Sequence, residues 1–200
     1  MFMERRHFWL LLFLIVLAYD LYLEHHFIFI YYTIQTFSLE ILYFTAAVLE
    51  KTGHTRAAPW KKHLFDIVFA PSIVVCVGFW VVIAPTRIHG PKPRNSVFIV
   101  VTHGFNALAM LDEVQTVRAD AIWKPVLYTF LYNLFLIAYV GAGGRSISGK
   151  LPYWYCEYDK PVGWIFTLVS ICAAALVHAA SARVWPLHDV PKRTHAQHVV

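Results

Sequence analysis

Thr33 and His103 lie in separate long apolar stretches of the chain, and together these residue types suit nucleophilic attack on an acyl carbon. A threonine hydroxyl is a poor nucleophile until a base takes its proton, and an imidazole titrates near working pH. The stretch holding Thr33 also carries Thr36 and Glu40, which at about 100° per residue share one helix face with Phe37. The stretch holding His103 carries Asn106 and Glu113 on one face, with Met110 between them, while Asp112 points the other way. Asn106, one turn from His103, could donate a hydrogen bond to a developing oxyanion, and Asp20 could orient the imidazole. A hydroxyl and an imidazole on adjacent helices would suit attack on the ester carbonyl of a lipid arriving sideways from a bilayer. Activity would then fall as the histidine becomes protonated.

The same residues also suit plain helix packing. Threonine in an apolar helix commonly back-bonds to a carbonyl or packs on a neighbour, and a buried carboxyl commonly bonds across to another helix. Glu40 and Glu113 suit that role, and Thr36, one turn from Thr33, competes with it for the part of nucleophile. Asp20, Asp66 and Asp112 sit near the ends of apolar stretches, where a solvated charge is ordinary.

The elements that must position these side chains are membrane-spanning helices. Of the 200 residues, 58% are hydrophobic and only 14% charged, with a mean hydropathy of +0.54, which leaves too little polar surface for a water-facing domain. The apolar residues come in blocks long enough to cross a bilayer. The blocks predict an all-α bundle of about six transmembrane helices in a single domain, over residues 8–23, 27–49, 64–84, 97–117, 122–142 and 162–185. Pro71 falls inside the third and predicts a kink there. Thr33 and His103 each lie six residues into their spans from the same side, at a matching depth of roughly 9 Å.

Six spans put eleven Lys and Arg residues, from Arg5 to Arg193, on the side of both termini and six on the other, which predicts cytosolic termini. The net charge of +5 lies between the apolar blocks as flanking charge and forms no nucleic-acid stripe. The first apolar run ends in Tyr19-Asp20-Leu21-Tyr22 without a small-residue cleavage site, so it reads as a retained helix. The histidines have no di-iron or other metal-ligand spacing, and Cys76, Cys156 and Cys172 suggest no disulfide, so neither metal nor cofactor is expected. The chain has no G-x-S-x-G elbow.

Four stretches in order resemble one known family. They are YYTIQTFSLEILYF (Tyr31–Phe44), DIVFAPSIVVCVGFW (Asp66–Trp80), THGFNALAMLDE (Thr102–Glu113) and SGKLPYWYCEY (Ser148–Tyr158). Together they are similar to the androgen-induced and androgen-dependent TFPI-regulating membrane proteins, which are multi-span hydrolases of fatty acid esters of hydroxy fatty acids. The resemblance covers about Tyr31 to Trp185. It implies Thr33 as nucleophile, His103 as the catalytic histidine, and a lipid substrate taken from the bilayer. It also implies a multi-pass protein of the endoplasmic reticulum, another endomembrane or the plasma membrane. Two other classes fit the same polar stripes. One is a non-enzymatic membrane scaffold or regulator. The other is a small transporter or proton pathway through Glu40, His103 and Glu113, which would need a continuous polar track.

Overall fold

A computed structural model describes residues 4–87, 99–113, 117–146 and 148–184. The described residues are helical, without a strand. Helix α1 covers Arg5–Glu24, α2 Tyr32–Lys51, α3 Ala57–Gly78, α4 Asn106–Asp112, α5 Trp123–Gly141 and α6 Pro161–Val184. Four stretches are long and apolar enough to cross a membrane: Arg5–Leu23, Ala57–Ile83, Ala119–Gly141 and Pro161–Val184. These match the first, third, fifth and sixth predicted spans. Helix α2 is as long as α1 but is not one of these four stretches; Thr33, Gln35, Thr36, Ser38 and Glu40 interrupt its apolar run. The fourth predicted span is described only over residues 99–113 and at residue 117.

Helix α2 is the hub. In a bilayer, helices associate through packing and interhelical hydrogen bonds, since lipid is as apolar as leucine. Accordingly α2 buries aromatic rings and bonds outward at successive turns. Phe37 and Phe44 pack on Phe13 of α1, with ring centroids 4.5 and 5.7 Å away. Val68 and Phe69 of α3 and Met110 of α4 complete this core. The polar residues then reach three neighbours. Thr36 Oγ1 lies 3.1 Å from the Tyr128 hydroxyl on α5. Ser72 of α3 donates to Glu40, which is wholly buried. Tyr43 donates to Glu113 at 2.9 Å. Arg6 Nε of α1 also donates to Glu113, its one N–H shared between the two carboxylate oxygens at 2.9 and 3.0 Å. Asp112 accepts from Arg5 (2.8 Å) and from the Trp9 indole (3.2 Å), so the acidic pair after α4 pins the start of α1. Glu113 is thus a packing partner, at the far end of the bundle from His103.

Two departures from regular helix shape the site. Helix α3 continues past Pro71 and then widens into a π-helical turn at Phe79–Ile83. A second π turn, Val101–Phe105, leads into α4. The block predicted to begin at residue 27 is likewise not one helix. It opens as a 3-10 segment, His25–Ile30, and extends at Tyr31 (φ −91°, ψ 133°) before α2 starts. Thr33 is therefore the second residue of α2, and does not lie deep within a span.

Candidate functional site

The wide turn at Val101–Phe105 carries His103 at its centre, and π turns recur at functional sites because they re-aim side chains. The imidazole stacks on Phe79 of the other wide turn, 3.8 Å between centroids at 29°. Next to Phe79, the Trp80 indole donates to the His103 carbonyl at 3.1 Å, which ties the two turns together. On the ring's far edge, Nδ1 lies 3.1 Å from the Ile99 carbonyl and 2.8 Å from the Thr102 hydroxyl. A carbonyl only accepts, so in the neutral ring the Ile99 contact favours the proton on Nδ1. Nε2 faces the Thr33 hydroxyl at 3.3 Å. In that tautomer the nitrogen that faces Thr33 is the one a general base uses. Thr33 and His103, set at one depth by sequence alone, meet in three dimensions.

Thr33 owes its place to what holds the start of α2. The residue before this helix, Tyr31, supplies no side-chain cap. Instead the Tyr153 hydroxyl, from the aromatic loop before α6, accepts the Tyr32 N–H at 3.0 Å. The Tyr132 hydroxyl of α5 donates to the Ile30 carbonyl, also at 3.0 Å. Tyr153 and Tyr155 stack, and Tyr155 stacks in turn on Phe166 of α6 at 4.3 Å, so the cap is braced from behind. Burial raises the Tyr153 hydroxyl above its ordinary range and keeps it neutral. The first N–H groups of any α-helix lack partners within it. Here Tyr32 gives its N–H to Tyr153, and the next two residues, Thr33 and Ile34, both line a cavity.

That cavity has a volume of ≈ 470 Å³ and is walled by all the long helices. Thr33, His103 and Asp20 share its wall. Thr36, Glu40, Asn106 and Glu113 do not. Thr36 is wholly buried against Tyr128, so of the two candidate threonines only Thr33 is on the cavity. Asn106 is buried and turns its oxygen onto the Ala107 N–H at 2.7 Å. The expected oxyanion donor is therefore off the wall, while Thr33 and Ile34 at the helix start are on it. The wall also includes Val77 of α3, Val81 of the wide turn that continues it and Val169 of α6, each more than half exposed, so the cavity reaches the flank of the bundle along these elements.

Sequence reasoning passed over a second polar group on the same wall: Thr129, Asn133 and Ser170. Its signal was present, since Thr129 and Asn133 are four apart in an apolar block. No group of three or more His, Cys, Asp or Glu residues able to hold a metal occurs among the described residues.

Fold and site define an all-helical protein, compatible with a membrane, whose threonine and histidine meet at an internal cavity. Comparison with family models, with curated proteins and with solved structures finds no match for the chain.

Proposed function

We propose that the chain is a membrane-embedded hydrolase of lipid esters, with Thr33 as nucleophile and His103 as base. The observation that carries this reading is the 3.3 Å approach of Thr33 Oγ1 to Nε2 of His103, inside a cavity that reaches the flank of the bundle. The ester carbonyl carbon meets Thr33 Oγ1 as Nε2 takes the hydroxyl proton. The carbonyl oxygen becomes an oxyanion beside the N–H groups of Thr33 and Ile34, at the positive end of α2. His103 then protonates the departing alkoxide, giving an acyl-threonine and a free alcohol. Water, deprotonated by His103, attacks the acyl carbon and releases the acid and the threonine.

The reading extends to topology. Helix α2 and the segment around α4 cross the membrane with the four more apolar helices, giving six spans with both termini cytosolic. Their polar faces are turned inward, which explains why α2 is the less apolar span. The chain would be a multi-pass protein of an endomembrane or the plasma membrane, and the substrate class follows the resemblance: fatty acid esters of hydroxy fatty acids. Neither Glu40 nor Glu113 touches the cavity, and Glu113 is held by Arg6 and Tyr43, so the polar track of a transporter is interrupted. The decisive test is turnover of a panel of lipid esters by purified protein in detergent. A wild type that hydrolyses none of them, while folded, would sink the reading in favour of a scaffold.

A further inference from the structure

The polar group that shares the cavity with the Thr33–His103 pair is built for a ligand. Asn133 of α5 spends both amide hydrogens on protein: Nδ2 donates to the Thr129 carbonyl at 2.8 Å and to Ser170 Oγ of α6 at 3.0 Å. The Thr129 carbonyl can only accept, which fixes the orientation of the amide. Ser170 passes its own hydrogen to the Thr167 carbonyl at 2.8 Å. Asn133 therefore keeps its Oδ1, an acceptor, as the polar atom for the cavity it lines. A donor remains as well. The hydroxyls of Tyr32 and Thr129 lie 2.7 Å apart, and only one of their two hydrogens fits between them. The other is left over, and since Thr129 is wholly buried it reaches the cavity when Thr129 donates and the Tyr32 hydroxyl keeps its own hydrogen.

One acceptor and one donor together suit a hydroxyl, which gives one hydrogen bond and takes another. They suit an ionised carboxylate badly, since it only accepts and would meet the amide oxygen head-on. We infer that Asn133, with the Tyr32–Thr129 hydroxyl pair, forms a subsite for a free hydroxyl carried on the chain of a lipid bound in the cavity. Helix packing alone accounts for the Asn133–Ser170 bond, but not for an amide oxygen and a hydroxyl hydrogen left over on one wall. Tyr32 adjoins Thr33, so this subsite sits beside the reacting pair, and Asn133 lies one turn, roughly 6 Å, along α5 from Thr129. In a fatty acid ester of a hydroxy fatty acid the chain hydroxyl is esterified, so the group this subsite takes is the hydroxyl of the released hydroxy fatty acid or a second hydroxyl on the chain; the inference rests on the hydrolase reading for the cavity being filled by lipid.

Ether analogues separate binding from turnover, because they cannot be hydrolysed. The full-length protein in nanodiscs is titrated with octadecyl methyl ethers, either plain or bearing one hydroxyl at successive carbons, in competition with a fluorescent lipid. At one hydroxyl position the wild type binds at least tenfold more tightly than it binds the plain ether. Asn133→Leu brings that ratio close to one. Ser170→Ala, which frees the amide to rotate, lowers it at least threefold and covers the case in which Asn133→Leu fails to fold. A wild-type ratio near one at every position, a ratio that survives both variants, or tighter binding of a chain with a carboxylate at that carbon would each overturn the inference. Ester turnover is measured in parallel. Hydroxyl preference without turnover would remove the hydrolase reading and leave the subsite, whereas turnover without preference would do the reverse.

Discussion

Thr33→Ala tests the chemistry most directly when set against two neighbouring changes. Removing the hydroxyl removes the atom that forms the acyl-enzyme, so turnover falls at least about 10³-fold, or about 4 kcal/mol of barrier. Thr33→Ser keeps the oxygen and loses the γ-methyl. The β-branched threonine is stiff at χ1, and serine regains up to three staggered wells, of which one aims at Nε2. That costs about RT ln 3, roughly 0.6 kcal/mol, so Thr33→Ser retains about a third of the rate. Thr36→Ala strands the Tyr128 hydroxyl 3.1 Å away and costs about 1 kcal/mol of stability, with turnover changed less than about threefold. The assay is ester hydrolysis in detergent. It is joined by acid quenching in the first turnovers and mass spectrometry of the peptide carrying both threonines, where the acyl mass falls on Thr33. Full turnover in Thr33→Ala, or the acyl group found on Thr36, would refute the assignment.

Three further outcomes follow from particular contacts. Arg6→Ala leaves the buried Glu113 carboxylate without its cation and destabilises the fold by about 3 kcal/mol, read as a lower unfolding temperature in detergent; Glu113→Gln, which keeps the Tyr43 bond, costs less. Val169→Trp fills the flank of the cavity and raises KM for long-chain esters at least about fivefold while changing kcat little, as uniform binding is lost; unchanged KM would exclude this flank as the lipid's route. Cys156 is buried in the aromatic loop, and burial pushes its thiol up to about 11, so its iodoacetamide labelling at pH 8 is slow and rises about tenfold per pH unit. Rapid labelling at pH 8, followed by peptide mass spectrometry, would show the loop to be open.

The apolar blocks made the helices legible, because a stretch of some twenty apolar residues has few other fates. Periodicity also placed Thr33 and His103 on inward faces. What it missed lies in departures from periodicity. The 3-10 segment before Tyr32 and the turns at Phe79–Ile83 and Val101–Phe105 follow from long-range contacts: Tyr153 capping α2, Tyr132 bonding the Ile30 carbonyl, and Trp80 bonding the His103 carbonyl. No local propensity encodes these. Asn106 shows the same limit. It shares a face with His103 on a regular helix, but the wide turn between them moves it off the cavity wall. Asn133 was visible as a polar residue in an apolar block, yet its meaning depends on Ser170, which only the packing of α5 on α6 supplies.

The paired wide turns have a consequence for how this chain can change. A turn closed by an i→i+5 bond holds one residue more than its neighbours, as an insertion absorbed in place. Removing any one residue from Val101–Phe105 would restore regular winding and swing everything on one side of it by about 100° relative to the other. Either His103 would leave Thr33, or Met110, Asp112 and Glu113 would leave the core and the arginines of α1. Chain length in this segment is therefore as constrained as residue identity. Deletions that surface loops absorb freely would act here like a gear slipping by one tooth.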